Sequence, residues 1–297
     1  MISVIIPSYN SMPLIERTLI SFRNQKFTGE FEIIVADSSD DGTHVEIGKK
    51  FPDVRCLHKE GRDFPGGGRN RAIDVAKGEI IAMIDADAEA NENWLDAIAG
   101  NFEKEPDVAG FGGAIENARQ DSIEAQVAHL LEFGGYTSNW KRRKVRMCPS
   151  CNLALKREIF AKAKFLDEWF GNEDVLLADE IARMGKYIVF DPKMLVFHHT
   201  RNTWDSVYNH QKRLGVDTGR SRFRYELPGS WLAHFPLASY LIPLIKYLLL
   251  LRRIFSADKE YAGLFVRHTF RILHALNLFA SGFREGVRIE KSLVKSR

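Results

Sequence analysis

The sequence predicts an open α/β sheet, mixed but mostly parallel and flanked by helices, followed by a helical C-terminal extension. Three observations carry this. Short β-branched runs alternate with helical patterns over the first hundred residues. Several of those runs end in polar loops, where open sheets of this kind bind ligands. The character of the chain then changes after residue 215, where apolar stretches are interleaved with arginine and lysine.

The first run, Ile2-Ser3-Val4-Ile5-Ile6, is broken by Pro7 and reads as a buried strand feeding the loop Pro7-Ser8-Tyr9-Asn10. Leu14, Leu19 and Phe22 mark a helix. "FEIIVADSSDDGT" is a second strand ending in turn residues at Asp37, "HVEIGKKF" a helix and "VRCLHKE" a third strand. A glycine-rich loop, Gly66-Gly67-Gly68, grows into a helix that stops at Gly78, and "EIIAMIDAD" is the fourth strand. Further on, "DVAGFGGAIEN" reads as a strand, "DSIEAQVAHLLEFGGY" as a helix and "NWKRRKVRM" as a basic loop. From Cys151 to His199 strand, helix, loop, helix and strand follow one another, the last strand starting at Asp191-Pro192. Pro7 to Asn10, Asp37 and the pair Asp85/Asp87 all lie at strand ends and are expected to converge on one edge.

Asp85 and Asp87 sit one residue apart at the end of an apolar strand. Adjacent acids repel unless a cation lies between them. The bland reading is an acidic turn capping the next helix, and the sharper one is a divalent metal site. Glu173-Asp174 sits at a helix start, where acids complement the helix dipole or serve as a positioned base.

Composition bounds the rest. The chain has 297 residues, 45% hydrophobic and 27% charged, which excludes wholesale disorder. A net charge of +3 gives no ground for a nucleic-acid partner. Residues 216–297 hold fourteen Lys/Arg against six Asp/Glu, so a basic tail follows an acidic body. Cys56, Cys148 and Cys151 are too few for a disulfide scaffold. The Cys148–Cys151 spacing lacks a second ligand pair for structural zinc, so ordinary thiols in a reducing compartment are expected. The opening MISVIIPSYN lacks the features of a secretory leader.

These motifs, in this order, resemble family 2 glycosyltransferases of the GT-A fold over roughly residues 1–200. "SVIIPSYN" is similar to that family's opening strand and nucleotide loop, and "EIIVADSSDDGT" to its second strand. "GGGRNRAIDVAKGEIIAMIDADA" is similar to its Ala-Arg-Asn segment followed by DxD, and "FLDEWFGNEDVLLADEIARMGKYIVF" to its acceptor-side segment. Ala36, Ser38, Gly68 and Ala88 depart from the usual residues.

The resemblance implies an inverting transferase moving a sugar from a nucleotide-diphosphate sugar to a hydroxyl acceptor, with Mn²⁺ or Mg²⁺ as cofactor. It assigns Asp87 to the metal and Asp85 to the ribose or a metal-bound water. Pro7, Tyr9, Asn10, Asp37 and Arg69 would hold the nucleotide sugar. Asp174 would be the base, with Glu173 orienting the acceptor. One of His198 and His199 would complete the metal shell, His198 being favoured. Arg213 is followed by Leu214 rather than Trp, which favours single transfer over polymerisation. A nucleotidyltransferase-like enzyme and a non-catalytic sugar-nucleotide-binding module are the alternatives. The loop "PSYNSMPL" lacks the Gly and Lys/Arg of the first, and Asp174 argues against the second.

The expected organisation is a catalytic domain over 1–215, with a nucleotide-sugar half at 1–100 and an acceptor half at 101–215, and a basic, apolar helical tail over 216–297. Residues 264–288 read as an amphipathic helix in a membrane interface. The alternatives are a helical pair packed on the domain or at a homodimer contact, and a membrane span within the apolar stretch 231–253. The expected acceptor is a lipid-linked glycan. The expected location is the cytoplasmic face of the membrane, or the cytoplasm if the tail packs on the domain.

Overall fold

A computed structural model describes residues 1–169 and 171–295. In chain order it contains β1 (Ile2–Ser8), α1 (Leu14–Arg23), β2 (Phe31–Asp37), α2 (Thr43–Lys50), β3 (Arg55–His58), α3 (Pro65–Val75), β4 (Ile80–Ile84), β5 (Ala88–Ala90) and α4 (Trp94–Lys104). Then come β6 (Gly110–Asn117), α5 (Ile123–Phe133), β7 (Arg143–Val145), β8 (Asn152–Lys156), α6 (Glu173–Arg183) and β9 (Ile188–His198). The C-terminal part is helical: α7 (Trp204–Arg224), α8 (Trp231–His234), α9 (Ile242–Ser256), α10 (Ala262–Arg267) and α11 (Thr269–Lys295), with short 3₁₀ turns between.

Two compact units are present, and residues 1–118, 136–169 and 173–199 make the first. Its mixed sheet runs β3-β2-β1-β4-β8-β6-β9-β5, with β7 also on β9. The β3-β2-β1-β4 part is wholly parallel, because each crossover is a helix. Ile5, Ile34, Ile81 and Leu153 carry no exposed surface or almost none, as a sheet covered on both faces requires. The parallel register sets Ser8 beside Asp37, so polar strand ends share one edge.

Two local readings are corrected. The basic run at Arg143–Val145 is a short strand rather than a loop, paired antiparallel to the start of β9. The Arg143 guanidinium stacks on Trp140 and Phe190, so its stem finds apolar cover there. The last long strand begins at Ile188 rather than Asp191. Its β6 register slips where Gly113 faces Asp191 and Ala114 faces Leu195. Pro192 falls in that slip, where a residue without an N–H does least harm.

The second unit comprises residues 119–135, 171–172 and 200–295 of the described chain. The 215/216 position falls inside α7, which runs unbroken from Trp204 to Arg224. The glycines there are not breakers. A Cβ on Gly219 would lie 2.1 Å from the Phe283 carbonyl oxygen, and one on Gly286 2.0 Å from that of Val216. Gly215 and Gly282 meet the facing backbone in the same way, so α7 and α11 touch main chain to main chain. Accordingly Ile272, Leu276, Phe279 and Phe283 of α11 are buried inside this unit. That apolar stripe, expected to lie in lipid, is already covered by protein. Residues 296 and 297 of the expected tail lie outside the described chain.

Candidate active site

At the β1 and β2 ends, Asp37 is fully buried and makes four polar contacts with three residues. Its Oδ1 accepts from the Ser8 and Ser39 hydroxyls at 2.8 and 2.6 Å, and its Oδ2 from the Ser39 amide at 3.1 Å. His58 Nδ1 lies 2.8 Å from Oδ2, and the His44 ring stacks on His58 with centroids 3.6 Å apart. Asp37 is thus the anchor of its loop, with two histidines at its open side. Asn10 takes a left-handed φ of 47° and ties its amide side chain to Asp40. The Arg62 guanidinium covers the Tyr9 ring at 4.4 Å, and Pro7 pairs with Ala36.

Beyond β4 the chain turns through Asp85-Ala86-Asp87 into β5, which runs antiparallel to β9 with Ala88 opposite His198. This register brings the end of β9 to the acidic pair. His198 Nε2 lies 3.3 Å from Asp87 Oδ1 and 4.0 Å from Asp85 Oδ2. His199 is directed elsewhere, with Nε2 at 2.6 Å from Glu89 Oε1. Cys151 Sγ belongs to the same cluster as Asp85 and His198. Burial, with Asp85 and Asp87 nearby, pushes the Cys151 thiol well up, so it is held protonated. Two carboxylates and an imidazole are an oxygen- and nitrogen-rich donor set that fits Mn²⁺ or Mg²⁺.

Arg69 rises from the first turns of α3 and is only 2% exposed. Its Nη2 donates to Asp85 Oδ1 at 2.7 Å and its Nη1 to Glu173 Oε1 at 2.9 Å. Burial, then the neighbouring Asp174, push the Glu173 carboxyl up to about 7 against the pull of Arg69. Burial also raises Asp174, opposed by Arg69 and by hydrogen bonds from the Val175 and Ser150 amides. Both acids open α6, where the helix N-terminus favours their charged forms.

The structure therefore brings Asp85, Asp87, His198, Arg69, Glu173 and Asp174 together within the first unit. Tyr9, Asn10 and Asp37 gather at the neighbouring strand ends. Gly66 and Gly67 do not line open space: added Cβ atoms would meet the Leu166 carbonyl oxygen at 2.0 Å and the Asp167 carboxylate at 2.2 Å. They admit a protein segment to the start of α3, and a close approach is all a glycine run can signal. Sequence reasoning missed His44, His58 and Cys151. Spacing along the chain holds no signal for the histidines: β2–β3 pairing sets His58 beside Asp37, and His44 comes from the first turn of α2.

A family model described as "Glycosyl transferase family 2" matches residues 3–163. A Campylobacter jejuni protein named GalNAc(5)-diNAcBac-PP-undecaprenol beta-1,3-glucosyltransferase is 26% identical over 211 residues, 63% of this chain and 62% of that protein. The chain thus spans less than two thirds of that relative's length. Glycosyltransferase GlyG of Streptococcus pneumoniae is 31% identical over 247 residues, covering 78% and 75% of the two chains. Among solved structures, a mannosyltransferase of Pyrobaculum calidifontis in complex with GDP-Man and Mn²⁺ superposes with a TM-score of 0.61 at 21% identity, over 95% of this chain and 86% of that one. TarS of S. aureus, residues 1–349 in complex with UDP-GlcNAc, gives 0.55 at 18% identity over 100% and 92%. At these identities the likeness shows a shared GT-A fold.

Proposed function

This chain belongs to glycosyltransferase family 2, and on that premise we propose that it transfers one sugar, with inversion, from a nucleoside-diphosphate sugar to a hydroxyl of a lipid-linked glycan. The observation that carries this is Arg69, a single guanidinium bonded both to Asp85 and to Glu173. It ties the acids suited to a metal to the acids suited to a base.

Asp174 takes the proton from the acceptor hydroxyl as its oxygen attacks the anomeric carbon opposite the departing diphosphate. A positioned base of this kind contributes typically about 10²–10⁴-fold. Glu173, clamped by Arg69, orients the acceptor and sets the charge felt by Asp174. Asp87, Asp85 and His198 would hold the divalent ion, which as a Lewis acid offsets charge developing on the leaving diphosphate. Tyr9 and Asn10 flank the nucleotide, on a loop whose shape Asp37 maintains. The bound donor and Mn²⁺ of the Pyrobaculum neighbour support the donor class and the metal. The undecaprenol-linked substrate named for the Campylobacter relative supports the acceptor class. Three free cysteines suit the reducing, cytoplasmic side of a membrane.

The test is product analysis with a panel of nucleotide sugars and Mn²⁺. Release of a nucleoside diphosphate, with sugar moved to acceptor, is expected. Release of pyrophosphate would place the enzyme among nucleotidyltransferases instead.

A further inference from the structure

The second unit carries an apolar surface that the transfer chemistry does not use. Leu241, just before α9, and Leu244, Leu248 and Phe255 on it recur at helical spacing on the exposed face, whereas Ile242, Leu250 and Ile254 fill the buried one. Leu237, before α9, is 84% exposed, and Phe270, at the start of α11, is 87% exposed. Isolated exposed leucines are ordinary, but a continuous run on one helix face marks an interaction surface.

The charges around it select the occupant. No carboxylate occurs between Glu226 and Asp258, while Arg252 and Arg267 are exposed beside the apolar positions. The Arg284 guanidinium lies 4.4 Å from the ring of the exposed Tyr240. Trp231 and Tyr240, both exposed, are residue types that settle at the headgroup level. A leucine face edged by aromatic rings and arginines, with no acid on α9 itself and Glu260 the exposed acid of the following turn, complements an anionic lipid surface. The 15 residues of α9 span about 22 Å, short of the roughly 30 Å of a bilayer core, so the helix lies on the membrane. No helix of the described residues is long and apolar enough to cross one.

We propose that the exposed face of α9, with the turns on either side, docks this chain on an anionic bilayer surface. Its leucines enter the headgroup–acyl boundary, and Arg252 and Arg267 meet lipid phosphates. The surface is not the apolar stripe of α11, which packs on α7. The proposal extends the reading of a lipid-linked acceptor, but it can fail alone, since donor binding is measured without lipid.

The test is vesicle flotation of the full chain with phosphatidylcholine, with and without phosphatidylglycerol. Wild type is expected to float with the anionic vesicles and to be partly released by high salt. The pair Leu244→Glu with Leu248→Glu, and separately Phe270→Glu, should weaken flotation about tenfold or more. Nucleotide-sugar binding and melting temperature should stay unchanged. The single change at the most exposed site guards against a folding defect in the pair. Failure of the wild type to float with anionic vesicles overturns the proposal. So does a wild-type dimer, by light scattering, that Leu244→Glu with Leu248→Glu converts to monomer, for the face would then bind a second copy.

Discussion

Arg69 donates to Glu173 across 104 positions of sequence, with Nη1 2.9 Å from Oε1 and both side chains buried. Removing one partner of a buried pair leaves an uncompensated charge, which costs about 3–5 kcal/mol. Arg69→Met should therefore destabilise the protein on that order. The deficit should also depend on pH. Glu173 already stands at about 7 and would rise further without Arg69. A raised carboxyl contributes stability that is present in acid and lost as pH rises through its folded value. Urea unfolding of variant and wild type should then differ less at pH 5 than at pH 8. An equal deficit at both would show that Glu173 is not the charge Arg69 compensates.

Asp87→Ala should abolish metal-dependent donor binding while leaving the melting temperature of the metal-free protein within a few degrees. The reason is its place beside His198, at 3.3 Å, and one residue from Asp85. Calorimetric titration with Mn²⁺ and donor measures it, and wild-type metal affinity in the variant would remove Asp87 from the metal site.

Asp174→Asn should keep donor and metal binding and lose at least about 10²-fold in kcat, the amide lacking a basic lone pair. Glu173→Gln should cost less in kcat and change the pH profile. In wild type the two carboxyls titrate as a pair. Activity should rise with pH on a limb above the usual carboxylate range, because the base must be ionised and burial holds both acids up. In Glu173→Gln that limb should simplify to the titration of Asp174 alone. Transfer by Asp174→Asn within a few-fold of wild type would make Glu173 the base.

Gly219→Ala and Gly263→Ala should act in opposite directions. Alanine favours a helix over glycine by about 1 kcal/mol. At Gly263, exposed in α10 with nothing within 4 Å of an added Cβ, that gain should appear as a slight stabilisation. At Gly219 the added methyl meets the Phe283 carbonyl oxygen at 2.1 Å, so α7 and α11 must separate. Overpacking typically costs about 1–3 kcal/mol, and a lower melting temperature is expected. A stabilised Gly219→Ala would mean that the two helices do not need their close contact.

Several features were legible because they are local. Strands β1, β2 and β4 show as β-branched runs, and the loops after them as turn residues, so the site edge follows from the α/β pattern. Asp85/Asp87 and Glu173/Asp174 stand out because paired acids need a cation or a helix end nearby. Strand β7 did not stand out, because a three-residue edge strand takes its pairing from β9 rather than from its own basic residues.

By itself, then, the sequence determined that β1, β2 and β4 are strands, where each ends, and which acids lie at those ends. Periodicity, turn chemistry and capping act over a few residues and can be read from neighbours in the chain. Only the tertiary structure decided which charges meet. Arg69 reaches Glu173, and His198 rather than His199 turns to Asp87, because crossovers and the β5–β9 register set side chains a hundred residues apart within bonding distance. Tertiary structure likewise decided which apolar face of the C-terminal helices stays open. Gly215 and Gly219 let α7 approach the backbone of α11 and cover its stripe, while the leucine face of α9 has no such partner among the described residues. Hydropathy records that a face is apolar, but not which neighbour will cover it, because burial depends on the whole packed unit.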